Sequence, residues 1–249
     1  TVNEKKLEKT KKIQRIVIGT FDQSLITGYL RKNGTVQSVG MGFLSGGGTQ
    51  PSIAMTGNST SGFTASSSSS TNTPAFDTWK AFNKTLGNEG WHGNSSEYSS
   101  STRYFTGSFS TTYDGSSTVS GEWIQLQVPT AITITKLQVA PRNGSNNYQN
   151  RCAGDGRILG SNDGSTWSTI GTFTGKTYTL GQYTDITVST STSYTYFRLV
   201  ITRLSGNAGQ KTVNISESTS EVHILLCEGS FFRHEFSSEA VPPPHTIEW

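Results

Sequence analysis

The sequence predicts an all-β protein, a sandwich or jelly roll of short strands. Three observations carry this. Only 32% of the 249 residues are hydrophobic and 15% charged, and Ser, Thr, Gly and Asn fill the gap; that mix suits short strands with many turns, not helices. Several stretches alternate apolar and polar residues with period two. Gly/Asn/Ser turn signals separate them at the spacing of a sandwich. A 10% aromatic content supplies bulk for a core.

In chain order, residues 1 to about 16 form a basic arm with Lys5, Lys6, Lys9, Lys11, Lys12 and Arg15. It reads either as a solvated tail or frayed helix, or as an arm that docks on an acidic partner or neighbouring subunit. Residues 16 to 44 contain short glycine-punctuated strands, and "SGGGTQPS" (45–52) reads as a flexible linker. Residues 53–229 are expected to be one all-β domain. Within it "ASSSSSTNT" (65–73) reads as an exposed low-complexity loop. "GEWIQLQV" (121–128) puts Ile124, Leu126 and Val128 on one face. "ITITKLQVA" (132–140) shifts its apolar phase between Ile134 and Leu137, the mark of a bulge. "ILGSNDGSTWSTIGTF" (158–173) is a hairpin signal, because Asn162, Asp163 and Gly164 tolerate positive φ. "DITV" (185–188), "YFRLVITRL" (196–204) and "VHILL" (222–226) complete the strands. Residues 230–249, with a proline triplet and an aromatic end, read as an extension, a docking strand or a polyproline segment.

The net charge of +3 is too small to imply nucleic acid, and none is expected as a partner. No run of about 18 apolar residues suggests a transmembrane helix, and no signal peptide is visible. Cys152 and Cys227 permit one disulfide but no disulfide framework. No nucleophile elbow, zinc-protease helix or phosphate-cradling loop occurs. The histidines (His92, His223, His234, His245) are scattered and the carboxylates do not pair. The chain is therefore not expected to be an enzyme.

Five blocks in order, "AFDTWKAFNKTLGNEGWHG" (75–93), "GEWIQLQVP" (121–129), "KLQVAPRNG" (136–144), "GRILGSNDGSTWSTI" (156–170) and "YTYFRLVITRLSG" (194–206), resemble a discoidin-type domain over roughly residues 53–229. This is the coagulation-factor C-type or galactose-binding-like family, which includes many carbohydrate-binding modules. The resemblance implies a discoidin-like jelly roll in which Asp163 is a turn residue and Trp167 is core. It implies a glycan site at His92, Arg142, Asn147, Tyr148 and Asn150. Arg142 suits this role, since its rigid fork of donors spans adjacent hydroxyls. The same residues have plainer readings: His92 as a loop cap, Trp91 as core, and Arg142 in a salt bridge with Asp155 or Glu122.

The family's first loop often wraps a structural calcium ion. Here the matching positions are Asn83 and Lys84, and the closing acidic residue is Glu217 or Glu221. Asn83 brings no charge and Lys84 repels a cation, which weakens the calcium expectation. The family's frequent disulfide joining the domain ends is missing, since Cys152 lies mid-domain.

The expectation is a non-catalytic recognition module that binds glycan or another cell-surface ligand, extracellular or on a virion surface. A structural, minor-capsid-like assembly protein is the alternative, with the amino-terminal arm and carboxy-terminal tail locking subunits together. A weaker reading is an accessory domain of a glycoside hydrolase. The sequons at Asn33, Asn58, Asn83, Asn94, Asn143 and Asn214 permit glycosylation only on a secretory route.

Overall fold

The computed structural model describes residues 29–32, 35–38, 48–71, 73–206 and 209–222. The basic arm, His223, Cys227, His234, His245 and the 230–249 tail lie outside the described residues. The chain divides into two compact units: residues 1–24 with 45–224, and residues 25–44 with 225–249. Of the second, the described part is an antiparallel hairpin of β1 (Tyr29–Lys32) and β2 (Thr35–Ser38), with Tyr29 opposite Ser38.

The first unit contains β3 (Thr49–Gln50), β4 (Ser59–Thr60), β5 (Phe63–Ser67), β6 (Trp91–His92), β7 (Ser110–Tyr113), β8 (Ser117–Ser120), β9 (Glu122–Ile132) and β10 (Ile134–Ala140). It continues with β11 (Ala153–Ser161), β12 (Ser168–Phe173), β13 (Thr184–Thr187), β14 (Tyr194–Leu204), β15 (Asn214–Ile215) and β16 (Glu217–Val222). A six-stranded sheet runs β12-β11-β14-β9-β5-β4 and a four-stranded sheet runs β13-β10-β16-β3. Ladders are antiparallel, so each strand follows the period-two rule and sends alternate side chains inward. Ile124, Leu126 and Val128 of β9, Ile158 of β11, Phe197, Leu199 and Ile201 of β14, and Leu137, Val139 and Ile186 of the other sheet form one buried core. Burying each such side chain is worth about 1.5–3 kcal/mol. The fold is the expected all-β sandwich.

The long alternating strands lie where expected, and the bulge expected in β10 falls between Ile134 and Lys136. The β11–β12 hairpin closes on Asp163, whose Oδ1 accepts the backbone N–H groups of Ser165 (2.8 Å) and Thr166 (2.6 Å), with Gly164 at φ 72°.

Three expectations need correction. Thr49–Gln50, in the supposed linker, pairs with Ser220 and Glu221 as the edge strand β3. The serine run is not an exposed loop. Ala65–Ser67 belongs to β5, and Ser68 and Ser69 bond into the sheet: Ser68 N–H donates to Trp123 O (2.9 Å) and Ser69 O accepts the Trp91 indole N–H (2.7 Å). Serine fits here because backbone and hydroxyl together satisfy buried polar groups. The last described strand is Glu217–Val222; of the expected strand 222–226, residues 223–226 lie outside the described residues. Trp167 is buried as expected, but outside the main core.

Trp167 packs with Leu159 and Val200 on the outer face of the large sheet, against Tyr113, Val119, Trp123 and Tyr196. The β7–β8 hairpin supplies Tyr113 and Val119 and covers that face; Asp114 at its tip accepts Thr169 N–H (2.8 Å). Arg198 lies between the rings of Trp123 (3.9 Å) and Trp167 (4.1 Å). So β14 buries side chains on both faces.

One core strand is unusual. Ser218 and Ser220 of β16 face Val139 and Leu137 and line a small interior cavity among Phe82, Ile124, Leu126, Ile158 and Phe197. Every neighbouring inward position holds a larger apolar side chain.

Candidate functional site

The loops at one end of the first unit bring the expected glycan residues together through a ring that sequence reading missed, Phe76. The short segment β6 carries His92, and β15 pairs with it, Asn214 opposite His92 and Ile215 opposite Trp91. Gly90 makes this pairing close. Its φ is +150°, and a Cβ there would run into the backbone of Ile215 and Ser216, so glycine is required. Trp91 is fully buried, in its core reading.

Arg142, just after β10, is 3% exposed. Its Nε donates to Asn88 O (2.7 Å) and its Nη2 to Asn88 Oδ1 (2.8 Å). Its guanidinium lies 4.3 Å from the Phe76 ring centre and 4.4 Å from that of Tyr148. The salt bridge weighed from sequence does not form: Asp155 pairs with Arg203 (2.5 Å), and Glu122 accepts from Ser69 and Asn94. Arg142 braces the Tyr148 ring. Tyr148 begins a 3₁₀ turn, Tyr148–Arg151, and the Arg151 guanidinium lies 5.4 Å from the same ring.

The His92 ring packs against Phe76, with ring centres 5.4 Å apart and planes tilted by 53°. Both of its ring nitrogens are buried without a hydrogen-bond partner. Burial, then the positive charges of Arg142 and Arg151, push its pKa down to about 4, so the ring is neutral, with one donor and one acceptor. The Asn214 side-chain amide, across the ladder, is likewise buried and unpartnered at both atoms, as is Gln149 Oε1 on the adjoining 3₁₀ turn. Unmatched polar atoms of this kind are rare in folded proteins and cost about 1–3 kcal/mol each. These atoms lie on adjoining segments, β6, β15 and the 3₁₀ turn that begins at Tyr148.

Asn147 and Asn150 flank the cluster. Asn147 is exposed and caps the turn with no side-chain bond. Asn150 is half-buried, and its carbonyl accepts Gly206 N–H (3.1 Å). Asn88, Gln149, Arg151 and Asn214 were missed by sequence reading. Asn214 sits between buried Val213 and Ile215 in an ordinary alternation, so only the covered second face exposes its oddity.

Glu122 supports the segments on either side of β6. It is fully buried; Oε1 accepts Asn94 N–H (3.1 Å) and the Ser69 hydroxyl, and Oε2 has no partner. Burial pushes its pKa up to about 7. A carboxyl raised above its ordinary value near 4.5 stabilises the fold fully below that value and loses this contribution as pH rises through 7. The expected loss across that window is about 3 kcal/mol. Urea melts from pH 4.5 to 8 should show it in the native chain, and Glu122→Gln should remove that part of the slope. An unchanged slope in the variant rules the assignment out.

The expected calcium residues separate. Glu217 is 0% exposed, although it lies on the outer face of the four-stranded sheet, opposite Ala140, because residues 83–87 cover it. Neither carboxylate oxygen makes a hydrogen bond of ordinary geometry, although three backbone N–H groups of the covering loop lie nearby. The backbone N–H groups of Thr85, Lys84 and Asn83 and the Lys84 charge offset only part of its burial, and its pKa is pushed up to about 9. The adjacent Ser216 hydroxyl reaches the carbonyl oxygens of Gly87 (3.1 Å) and Thr85 (3.5 Å). A buried carboxylate without an ordinary hydrogen bond is the kind of oxygen donor a hard cation takes. Asn83 Oδ1 is turned back onto Thr85 N–H (2.9 Å). Glu221 is not brought to this loop. Four residues along the strand, about 13 Å away, it pairs with Lys136 (2.8 Å). Cys152 is buried and forms no disulfide among the described residues.

No protein-family model and no curated protein matches the chain. Solved structures do. The chain is similar to module CBM32-3 from a family 31 glycoside hydrolase of Clostridium perfringens, with 16% identity, a TM-score of 0.47, and coverage of 66% of this chain and 92% of the other. It is similar to the family 32 carbohydrate-binding module of C. perfringens NanJ, in complex with galactose, with 13% identity, a TM-score of 0.42, and coverage of 65% and 94%. A third is chitosan-binding module 1 of a chitosanase/glucanase from Paenibacillus sp. IK-5, with 20% identity, a TM-score of 0.42, and coverage of 65% and 95%. Similarity at this level leaves function to be argued from the site. No helix among the described residues is long and apolar enough to cross a membrane.

Proposed function

We propose that the chain is a non-catalytic, extracellular saccharide-recognition module, and that its site is the loop end around Tyr148. The observation that supports this most is one braced, partly exposed aromatic ring with an amide and a guanidinium beside it: Arg142 behind Tyr148, Arg151 5.4 Å from its ring centre, and the exposed Asn147 that caps the same turn. Saccharide sites combine a ring face with convergent polar groups. Arg142 acts here as a positioning residue, while Tyr148, Asn147 and Arg151 offer the accessible surface. We propose further that calcium binds at Glu217 with the carbonyl oxygens of Thr85 and Gly87, neutralising the buried carboxylate and pinning the 83–87 loop that adjoins Asn88.

Calorimetric titration against a panel of neutral and charged mono- and oligosaccharides tests the first proposal. The expected result is binding of at least one saccharide, weakened about tenfold or more by Tyr148→Ala with little change in melting temperature. A folded protein that binds no saccharide overturns the reading. Binding indifferent to Tyr148→Ala and Asn147→Ala removes the site from this end.

A further inference from the structure

Two arginines at the candidate site carry charges that no acidic side chain balances. Arg142 is almost wholly buried, and its hydrogen bonds go to the neutral oxygens of Asn88. The Arg151 Nε donates to the neutral Gln210 Oε1 (2.5 Å). Among the described residues neither forms an ion pair. The acids nearest to them in sequence pair with other cations: Glu89 with Lys80, and Asp155 with Arg203. A guanidinium withdrawn from water without a counter-charge is costly. Here two of them share one tyrosine ring, at 4.4 and 5.4 Å. The His92 ring feels both as a repulsion that opposes its protonation.

Arg151 is the accessible member of the pair. Gln210 takes Nε, and no hydrogen bond among the described residues uses either Nη group. The outer edge of its fork therefore remains for a ligand, and that edge matches the two oxygens of a carboxylate. The exposed Asn147 and the partly buried Tyr148 lie four and three residues before it. They provide the amide and ring face that a sugar carrying such a carboxylate would meet.

Resting on the saccharide reading above, we infer that the preferred ligand is an acidic saccharide, a sugar whose ring bears a carboxylate, held by Arg151 in a field reinforced by Arg142. A neutral sugar leaves both positive charges unbalanced. An acidic one supplies the missing counter-charge at a position where water is partly excluded, so the pair is stronger than a fully exposed one.

The test compares galacturonate oligomers with the matching neutral galactose oligomers by calorimetry, at 20 and 500 mM NaCl. Native protein, Arg151→Gln and Arg151→Lys are titrated, each with its melting temperature as a check of folding. The native chain should bind the acidic oligomer about tenfold or more tightly than the neutral one at low salt. The preference should shrink several-fold at high salt. Arg151→Gln should abolish this preference, and Arg151→Lys should restore part of it. Equal affinity for the two oligomers at both salts overturns the inference and leaves the saccharide reading intact. An acidic preference that survives Arg151→Gln overturns the assignment to Arg151. No binding of either oligomer by folded protein overturns the inference; failure across the wider saccharide panel overturns the saccharide reading with it.

Discussion

Arg142→Ala will destabilise the first unit by about 3 kcal/mol and abolish saccharide binding. The magnitude follows from what the guanidinium holds. Two hydrogen bonds from a charged donor to Asn88 are lost, each worth about 1.5–3 kcal/mol, and two cation–π contacts with them. Relief of the buried, unbalanced charge returns part of this. In a unit of this size about 3 kcal/mol lowers the melting temperature by roughly 6–12 °C. Arg142→Lys should recover little, because an ammonium group cannot span both oxygens of Asn88 while lying flat between two rings. Thermal melts and titrations of both variants decide the matter. A shift below about 2 °C with binding lost would mean that Arg142 touches the ligand directly and holds up little else.

Calcium should raise the melting temperature of the native chain, and Glu217→Gln should erase the effect. At a calcium concentration one hundred times the dissociation constant, the stabilisation is about 2.7 kcal/mol, or roughly 5–10 °C here. Glu217→Gln removes the buried charge that calcium would neutralise. Its melting temperature should be indifferent to calcium and to chelator. Glu221→Gln should respond as the native chain does, because that side chain is paired with Lys136 at the far end of the strand. A native chain unmoved by millimolar calcium would mean that Glu217 simply stays protonated under its loop.

The parts of the fold that alternate plainly were legible. In β9 and β14, apolar side chains recur at every second position and the same residues fill the core. Strands built from Ser and Thr were not legible. Ser110–Tyr113 and Ser117–Ser120 carry little apolar signal, and their pairing depends on the aromatic outer face of β14, which local sequence does not reveal. The serine run failed for the same reason: its role is to satisfy Trp123, Trp91 and Glu122, all distant in sequence. At the candidate site, His92, Arg142 and Tyr148 do converge, around Phe76. The character of Arg142 was hidden, because whether a guanidinium faces solvent or is clamped between rings depends on Phe76 and Asn88, more than fifty residues earlier. Between Glu217 and Glu221 sequence offered no choice; strand register and the covering loop make the distinction.

The two hydroxyls that β16 turns toward the interior have a consequence for how this unit comes apart. A strand whose inward side chains are Ser218 and Ser220 adds little to the cohesion between the sheets. Its hold is the backbone ladder with β10, a two-residue pairing with the edge strand β3, and the Glu217 anchorage at its beginning. Peeling should therefore start here, with β16 amides exchanging hydrogen for deuterium well before those of β9 and β14. Glu217 lies at the head of that weak margin, and Asn214 three residues before it. An ion seated on Glu217 would act as a rivet, slowing the peeling on one side and steadying the ligand-facing ribbon on the other.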